Sequence, residues 1–421
     1  MDITEKTRYI NIKIIPDSKF KTAGICLMLR RPLKRGEATL NSLLANVLGS
    51  GSMKYANLYE INKYMEELYG AVFSCQVVKK GEFQVIRLYI EFITVLDEEI
   101  MIKAVEFLRE ILLNPLINNG SFDEETVASE KEQLRDAIEE RINDKNEYVR
   151  LKCVEKMCTE EPFGIYADGY EKDLDKIDAK SLYCHYKNII KSTALEFIAT
   201  GNVDEEKFAK LAEQNFTNND FRPAMLRVND TIYKPQPMKS YEEKLDINQS
   251  KICMGLRADC TYKGKEYQAI LVLNEILGGS GNSKLFMNLR EKDSLCYNIF
   301  SFVYRAKAML MIQSGVENDN VEIAIVKINE QIENMKAGNI TDDEINMAKQ
   351  GLISHFKNMA DYQGSLLDFY YTQHILSDNE TAQDMIEGIR SVNIDDITAM
   401  AKTLYTDVIY VLKGVENGEN A

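Results

Sequence analysis

The sequence predicts an α+β protein of two tandem domains that share one fold, each a mostly antiparallel sheet covered by helices. Three observations support this prediction. Four segments recur in the same order in the two halves of the chain, a stretch containing several prolines separates the halves, and paired strand patterns alternate with long helical patterns. A chain of 421 residues is also long enough for two domains that each bury their own core.

The repeat begins with a strand and a helix. The strand pattern Ile25–Arg30 recurs as Ile252–Arg257, and the helical pattern 43–52 recurs as 272–281. The other two pairs are the capping-box sequences that open a long helix and the strands that end each half: Ser121–Glu124 with Thr341–Glu344, and Ala194–Gly201 with Val408–Gly414. Four matches in the same order are stronger support for a duplicated fold than any single match.

The strand patterns also predict how the chain is divided. Val72–Lys79 and Phe83–Phe92 are near enough in sequence to form a hairpin, which favours mixed or antiparallel sheets with helices on one face. We expect an N-terminal domain at residues 1–215, an extended linker at 216–240 and a C-terminal domain at 241–421. Three of the seven prolines lie in this linker, as is typical of extended segments: Pro223, Pro235 and Pro237.

Composition and charge narrow the class of protein. A hydrophobic content of 45% and a charged content of 28% are typical of soluble globular proteins. The net charge of −15 argues against a nucleic-acid partner and against binding to an anionic membrane surface. The sequence contains no run of about 18 apolar residues, so it predicts no membrane-spanning helix. Its first residues lack the basic and apolar segments of a secretory signal. We therefore expect a cytoplasmic protein with no membrane partner.

A glycine cluster lies between two helical patterns in the second half. Gly278 to Gly281 follow a helix rather than a strand, which is the wrong context for a dinucleotide-binding loop. Arg290 then ends a short helix and Tyr297 begins a β-rich run, so both flank a helix-to-strand corner. Taken alone, they also fit structural roles, because a cation is favourable at a helix C-terminus and tyrosine is common in strands.

This segment resembles the second-domain signature of the pitrilysin/insulinase (M16) metallopeptidases. The match rests on Leu285-Phe286, on the run 289–292 (Leu-Arg-Glu-Lys) and on Tyr297 at the family's spacing. The resemblance extends over nearly the whole chain and implies the LuxS/MPP-like metallohydrolase fold. It also implies that Arg290 and Tyr297 bind the substrate backbone and stabilise the transition state of peptide hydrolysis.

The sequence lacks the zinc motif of an active family member. Active M16 enzymes carry H-x-x-E-H on a helix of the first domain, where two histidines ligate zinc and the glutamate activates water. The resemblance aligns these positions with Ser42, Ala45 and Asn46. Serine and asparagine are poor zinc ligands beside imidazole, and alanine cannot act as a base.

The third zinc ligand of the family is also missing. It is a glutamate that aligns here with Ala137, or with Asp136 if the register slips by one, whereas Glu130 matches an acid seven residues earlier. No two of the three histidines are four residues apart: His185, His355 and His374. We therefore predict no metal and no other cofactor in this chain, with zinc only in a partner chain.

The missing zinc ligands and the retained Arg290 and Tyr297 predict a pseudoenzyme with a supporting role. We expect a non-catalytic, peptide-binding subunit of a heteromeric M16-type zinc metallopeptidase. The resemblance implies that a zinc-bearing sister subunit forms a heterodimer with it around an unfolded peptide and carries out proteolysis. Within the family, the chain most resembles a bacterial type linked to modification of translation elongation factor P.

Two other hypotheses stay open. The chain could be a peptide-binding or scaffolding homodimer without protease function. It could also be an enzyme of altered chemistry, but that hypothesis needs a new nucleophile or metal site, which the sequence does not show. A gene for an H-x-x-E-H-bearing sister beside this one would favour the heteromeric peptidase over the homodimer.

Overall fold

The fold is described from a computed structural model, which covers residues 10–96, 99–217, 226, 235–259 and 263–414. Contacts divide the chain into two units, each of which takes one segment from the opposite half of the sequence. The first unit consists of residues 1–140, 165–228 and 362–375, and the second of residues 141–164, 229–361 and 376–421. The domain bounds 1–215 and 241–421 concern homologous stretches of sequence and stay a prediction. Most of the predicted linker, 218–225 and 227–234, lies outside the described residues.

The elements alternate between strands and helices in both halves. Those before residue 218 are β1 (Ile10–Pro16), β2 (Thr22–Pro32), α1 (Ala38–Ser50), α2 (Leu58–Glu67), β3 (Val72–Lys80), β4 (Phe83–Ile93), α3 (Ile100–Leu113), β5 (Ile117–Asn118), β6 (Ser121–Phe122), α4 (Glu124–Glu139), α5 (Lys145–Met157), α6 (Glu171–Leu174), α7 (Ala179–Ser192), β7 (Leu195–Gly201) and α8 (Glu205–Phe216). Those after residue 234 are β8 (Lys239–Leu245), β9 (Ser250–Ala258), α9 (Gly264–Asn274), β10 (Cys296–Tyr304), β11 (Met309–Val316), α10 (Val321–Lys336), α11 (Asp342–Met359), α12 (Gln363–Ile375), α13 (Ala382–Ser391), α14 (Ile394–Thr403) and β12 (Leu404–Gly414).

Several shorter helical segments join these elements. Two of them are wide, π-helical segments, Glu275–Gly279 and Phe286–Lys292. Tight single turns lie at Glu140–Ile142, Pro162–Gly164, Arg305–Lys307 and Asn318–Asn320. Within the described ranges, no helix is both long and apolar enough to cross a membrane.

The two five-stranded sheets have the same topology. The first has the order β1-β7-β2-β4-β3, and the second has the order β8-β12-β9-β11-β10. In each of these sheets one outer pair of strands is parallel: β1 with β7, and β8 with β12. The other neighbouring strands are antiparallel. The predicted α+β fold with mostly antiparallel sheets is therefore confirmed, and the strand order reproduces the sequence repeat.

One face of the first sheet packs against helices of its own half of the chain. Ile25 and Leu27 of β2 share one buried cluster with Leu44 and Leu48 of α1. The helix α1 also lies against β3 and β4. This burial fixes the direction of α1, and with it the places of Ser42, Ala45 and Asn46.

The opposite face of the first sheet is covered by α12, from the C-terminal half of the chain. Cys26 and Met28 alternate with the residues of the first cluster and pack in a second cluster with Leu367 and Tyr371 of α12. The expectation of helices on one face alone is therefore wrong. Strand β2 is apolar on both of its faces, and the second face also needs a cover.

The second sheet repeats this arrangement with a helix from the N-terminal half. Cys253, Met311 and Val408 form a buried cluster with Val149 and Met157 of α5. Helix α5 follows α4 in the sequence as α12 follows α11. Each half of the chain therefore supplies the helix that covers the second face of the other half's sheet.

A buried ion pair also recurs at equivalent positions. Arg30 and Arg257 end the repeated strand segment, and each contacts a carboxylate on the last strand of its half. Arg30 Nη2 lies 2.7 Å from Glu196 Oε1, and Arg257 Nε lies 2.7 Å from Asp407 Oδ2. Removing one partner of such a pair leaves an uncompensated buried charge, so each pair constrains how its central strands align.

A polar network anchors the start of α1. The Nε2–H of His185 donates to Asn41 Oδ1 at 2.7 Å, and Asn41 Nδ2 donates to Gln84 Oε1 at 2.7 Å. Gln84 Nε2 in turn donates to the carbonyls of Ala38 and Ala167. Burial lowers the pKa of His185 from 6.5 to about 4, so the imidazole is neutral at neutral pH.

Because α12 of the C-terminal half covers one face of the first sheet, we predict that the N-terminal half does not fold alone. A fragment of residues 1–217 contains every strand of the first sheet but lacks α12, so the face with Cys26 and Met28 would be exposed to water. We expect no cooperative thermal transition for this fragment by near-ultraviolet circular dichroism. Co-expression with residues 218–421 should restore one. A cooperative transition of the fragment alone, at the temperature of the whole chain, would contradict this prediction.

The buried imidazole predicts a stability that depends on pH. Between pH 6.5 and about 4 the unfolded chain binds a proton at His185 and the folded chain does not, so this residue's contribution is lost as the pH falls. The loss should reach about 2 kcal/mol at pH 5. Urea unfolding at pH 7 and pH 5 measures it, with His185→Gln as the matched variant. Equal pH dependence of the two proteins would refute the assignment.

Candidate functional site

Arg290 is presented by the π-helical segment Phe286–Lys292. Its guanidinium carbon lies 4.7 Å from the centroid of the Phe286 ring, and its Nε lies 3.8 Å from Glu291 Oε1. The side chain is 44% exposed. The guanidinium packs on the face of the Phe286 ring, and the side chain is exposed enough for an added acceptor to reach it.

Tyr297 is the second residue of β10 and is 51% exposed. Its hydroxyl donates a hydrogen bond of 3.0 Å to Oε1 of Glu317, which follows directly after β11. This hydrogen bond to a carboxylate raises the pKa of Tyr297. The phenol is therefore a neutral hydrogen-bond donor at physiological pH.

The corner between Arg290 and Tyr297 is held by its backbone and by buried side chains. The amide of Leu295 donates to the carbonyl of Leu289 at 2.8 Å, and Leu289 is fully buried. At Gly278 a Cβ would lie 2.6 Å from Ser301 Oγ, so the helix can approach β10 this closely only because the residue is glycine. The sequence prediction that Arg290 and Tyr297 flank one helix-to-strand corner agrees with this geometry. Their role in catalysis stays a prediction.

The residues that the sequence aligns with the family's zinc ligands lie on α1 and α4, which contact each other. Ser42 is 3% exposed and Ala45 is fully buried, whereas Asn46 is partly exposed. Ala137 and Asp136 are exposed on α4. Within the described part of the chain, no cluster of three His, Cys, Asp or Glu side chains could hold a metal ion. These donors do not fit zinc, which binds imidazole, thiolate and carboxylate groups.

A cleft of about 520 Å³ opens beside these positions, between α1, α2, β3 and α4. Its polar groups include Asn46 and Glu130, and the Glu130 carboxylate is 8% exposed with Gln133 Nε2 at 3.4 Å from Oε1. Burial raises the pKa of Glu130. Leu58 and Val72 form part of its wall, and both are more than half exposed. The cleft can therefore accept a chain with both apolar and polar groups.

Strand β3 borders this cleft and lies at the edge of the first sheet. It pairs with β4 on one side, and no other described strand pairs with its free side. An edge strand presents unpaired N–H and C=O groups that can add an extended peptide as a further strand. The arrangement can hold a peptide, but it contains no water-activating group on α1.

The sequence did not indicate two residues that position the corner. Phe286 was recognised only as part of the family run, although its spacing of four from Arg290 would place both on one helical face. Glu317 lies twenty residues beyond Tyr297, and only the antiparallel pairing of β10 with β11 brings them together. No local pattern in the sequence signals that contact.

Comparisons with known proteins agree with the fold. A family model described as the peptidase M16 inactive domain matches residues 176–352. The solved structure of a conserved protein from Enterococcus faecalis superposes with a TM-score of 0.88 at 28% identity, covering 98% of this chain and 99% of that one. A peptidase M16 inactive domain from Pseudomonas fluorescens superposes with a TM-score of 0.79 at 14% identity, covering 96% of each chain.

A curated relative extends the likeness to the whole length. The probable inactive metalloprotease YmfF of Bacillus subtilis is 30% identical over 419 residues, which are 99% of this chain and 98% of the relative. The family model names the M16 peptidases, and the relative extends the likeness over the whole chain. At this identity and coverage, the chain belongs to the M16 peptidase family.

Proposed function

We propose that this chain is the non-catalytic, peptide-binding subunit of a heteromeric M16-type zinc metallopeptidase. It binds part of an unfolded peptide and supplies Arg290 and Tyr297 to the reaction. A sister chain with H-x-x-E-H supplies the zinc and the activated water. The observation that carries the proposal is the contrast between a corner that keeps both donors and an α1 helix that keeps no zinc ligand.

The exposure of the two donors supports a role toward a second molecule. Arg290 and Tyr297 are each about half exposed, although the neighbouring residues Leu289 and Cys296 are buried. Their polar groups are therefore within reach of a second molecule. Among the described residues, these two side chains make one hydrogen bond, from the Tyr297 hydroxyl to Glu317.

The cleft and the edge strand support peptide binding. Main-chain groups of β3 would pair with an extended peptide, and alternate side chains of that peptide would enter the cleft beside Leu58 and Glu130. Such pairing tolerates many peptide sequences, because it depends mainly on hydrogen bonds to the peptide main chain. An unfolded peptide is therefore the ligand that fits this face.

The two donors fit the charge that develops in peptide hydrolysis. As the peptide carbonyl is attacked, negative charge grows on its oxygen. The guanidinium of Arg290 and the hydroxyl of Tyr297 can each donate a hydrogen bond to that oxygen. The hydroxyl has a single proton, so it must leave Glu317 when it donates to substrate. Donors aimed at an oxygen that gains charge stabilise the transition state more than the ground state.

The cytoplasmic location and the zinc-bearing sister chain stay predictions. A homodimer that holds peptides without cleaving them is the alternative outcome of the two tests below.

The first test concerns the metal. We expect purified chain, after exchange into metal-free buffer, to hold no stoichiometric zinc by elemental analysis, because Ser42, Ala45, Asn46 and Ala137 offer no ligand set. The isolated chain should not turn over unfolded peptides. One tightly held zinc ion per chain would show that the alignment of the zinc positions is wrong.

The second test concerns Arg290 and Tyr297 in the reconstituted pair. Arg290→Ala removes the cation, and Tyr297→Phe removes only the hydroxyl. Each should reduce kcat for peptide cleavage by about 10²–10³-fold, as is typical for loss of one such donor. Assembly and the circular dichroism spectrum should stay unchanged.

Two matched variants control for the loss of any exposed arginine or tyrosine. Arg390→Ala changes an exposed residue of α13, and Tyr362→Phe changes a tyrosine that is 66% exposed. Both should leave kcat unchanged. Full activity with Arg290→Ala and Tyr297→Phe combined would make the pair structural and would favour the peptide-holding homodimer.

A further inference from the structure

A second cavity lies in the first unit, on the sheet face that α12 covers. Its volume is about 320 Å³, which is within the range of small-molecule sites. It is separate from the cleft beside α1, because the two open on opposite faces of the sheet: Met28 and Val78 line this one, and Phe73 and Cys75 line the other. We call it the Arg87 pocket; Cys26, Met28, Val78, Arg87, Leu367 and Tyr371 are among the residues that line it.

Arg87 is the unusual member of this lining. It lies in the middle of β4, and its Nε atom is shielded from solvent without a hydrogen-bond partner. No hydrogen bond or ion pair joins its guanidinium to another described residue. A guanidinium cannot lose its charge at physiological pH, so a shielded and unpaired donor on it is costly.

The carboxylates that line the pocket already have other partners. Asp368 Oδ1 lies 2.5 Å from Lys80 Nζ. Glu91 accepts hydrogen bonds from the hydroxyls of Tyr89, at 2.8 Å, and Thr22, at 3.2 Å. The pocket therefore contains the Arg87 cation, whereas the carboxylates of its lining already contact other residues. An anion from outside the chain would complete the pairing.

The other walls restrict what that anion carries. Met28, Val78 and Leu367 are apolar, and Cys26 is 3% exposed with its thiol pKa raised by burial to about 12. Tyr371 turns its hydroxyl to Glu196, at 3.1 Å, so its ring rather than its polar end is free to contact a ligand. A doubly charged phosphate would face these apolar walls at a high desolvation cost, whereas a carboxylate on an apolar body would not.

We propose that the Arg87 pocket binds a small carboxylate with an apolar body, whose carboxyl group pairs with the Arg87 guanidinium. The planar guanidinium can hold both carboxylate oxygens, and the body lies among Met28, Val78 and Leu367. This site is independent of the peptide cleft and of the proposed peptidase role. Two sources have the same chemistry, a free monocarboxylic acid and the C-terminus of a short peptide.

The probe is phenylacetate, with phenylacetamide as its neutral counterpart of the same shape. Isothermal titration calorimetry on the full chain should give saturable binding of phenylacetate, and binding of the amide weaker by about tenfold or more. Arg87→Gln should weaken the acid by a similar factor and leave the amide unchanged. Arg390→Gln, which removes an exposed guanidinium from the second unit, should change neither.

A second readout locates the ligand without relying on a variant of Arg87. In methyl-labelled methionine spectra, phenylacetate should shift the Met28 signal, assigned with Met28→Leu, and leave that of Met311 in place. A tripeptide that ends in phenylalanine with a free carboxyl distinguishes the sources. Tighter binding of the peptide assigns a peptide C-terminus, and tighter binding of phenylacetate assigns a free acid. Equal binding of acid and amide, full binding to Arg87→Gln, or an unmoved Met28 signal would each overturn the proposal.

Discussion

The structure depends on the burial of both faces of each sheet. The central strands are apolar on both sides, as Ile25-Cys26-Leu27-Met28 illustrates, so helices from one half of the chain cannot satisfy them alone. Helix α12 covers the second face of the first sheet, and α5 covers that of the second. Each unit is therefore complete only when the whole chain has been made, which joins the stability of the two halves.

The same burial explains how a chain whose α1 has no histidine or acidic residue keeps the architecture of a peptidase family. The α1 residues that the sequence aligns with the zinc motif have structural roles: Ser42 and Ala45 pack inside the first unit, and neighbouring Asn41 connects α1 to His185 and Gln84. Small and amide side chains at these positions are therefore compatible with the packed helix. The cleft and the free edge of β3 persist because they follow from strand order rather than from the metal.

The sequence predicted the duplicated fold because its signals are local and repeated. Ile25–Arg30 and Ile252–Arg257 lie on equivalent central strands, and their terminal arginines form equivalent ion pairs. The corner between Arg290 and Tyr297 was also predictable, because the helix end and the strand start are only seven residues apart in the sequence. The sequence could not predict the covering of each sheet by a helix of the other half, the contact from Tyr297 to Glu317 or the Arg87 pocket. Each of these depends on contacts between segments that are distant in sequence. Arg87, for example, is one charged residue in an alternating strand, and only the cover by α12 gives it a cavity.

The central claim is that this chain works beside a zinc-bearing sister. Native mass spectrometry of the complex purified from the source cells, at native expression level, tests it most directly. The account predicts one copy of this chain with one copy of a chain that carries H-x-x-E-H, and one zinc ion per complex. A complex made only of copies of this chain, without a zinc-bearing partner, would contradict it.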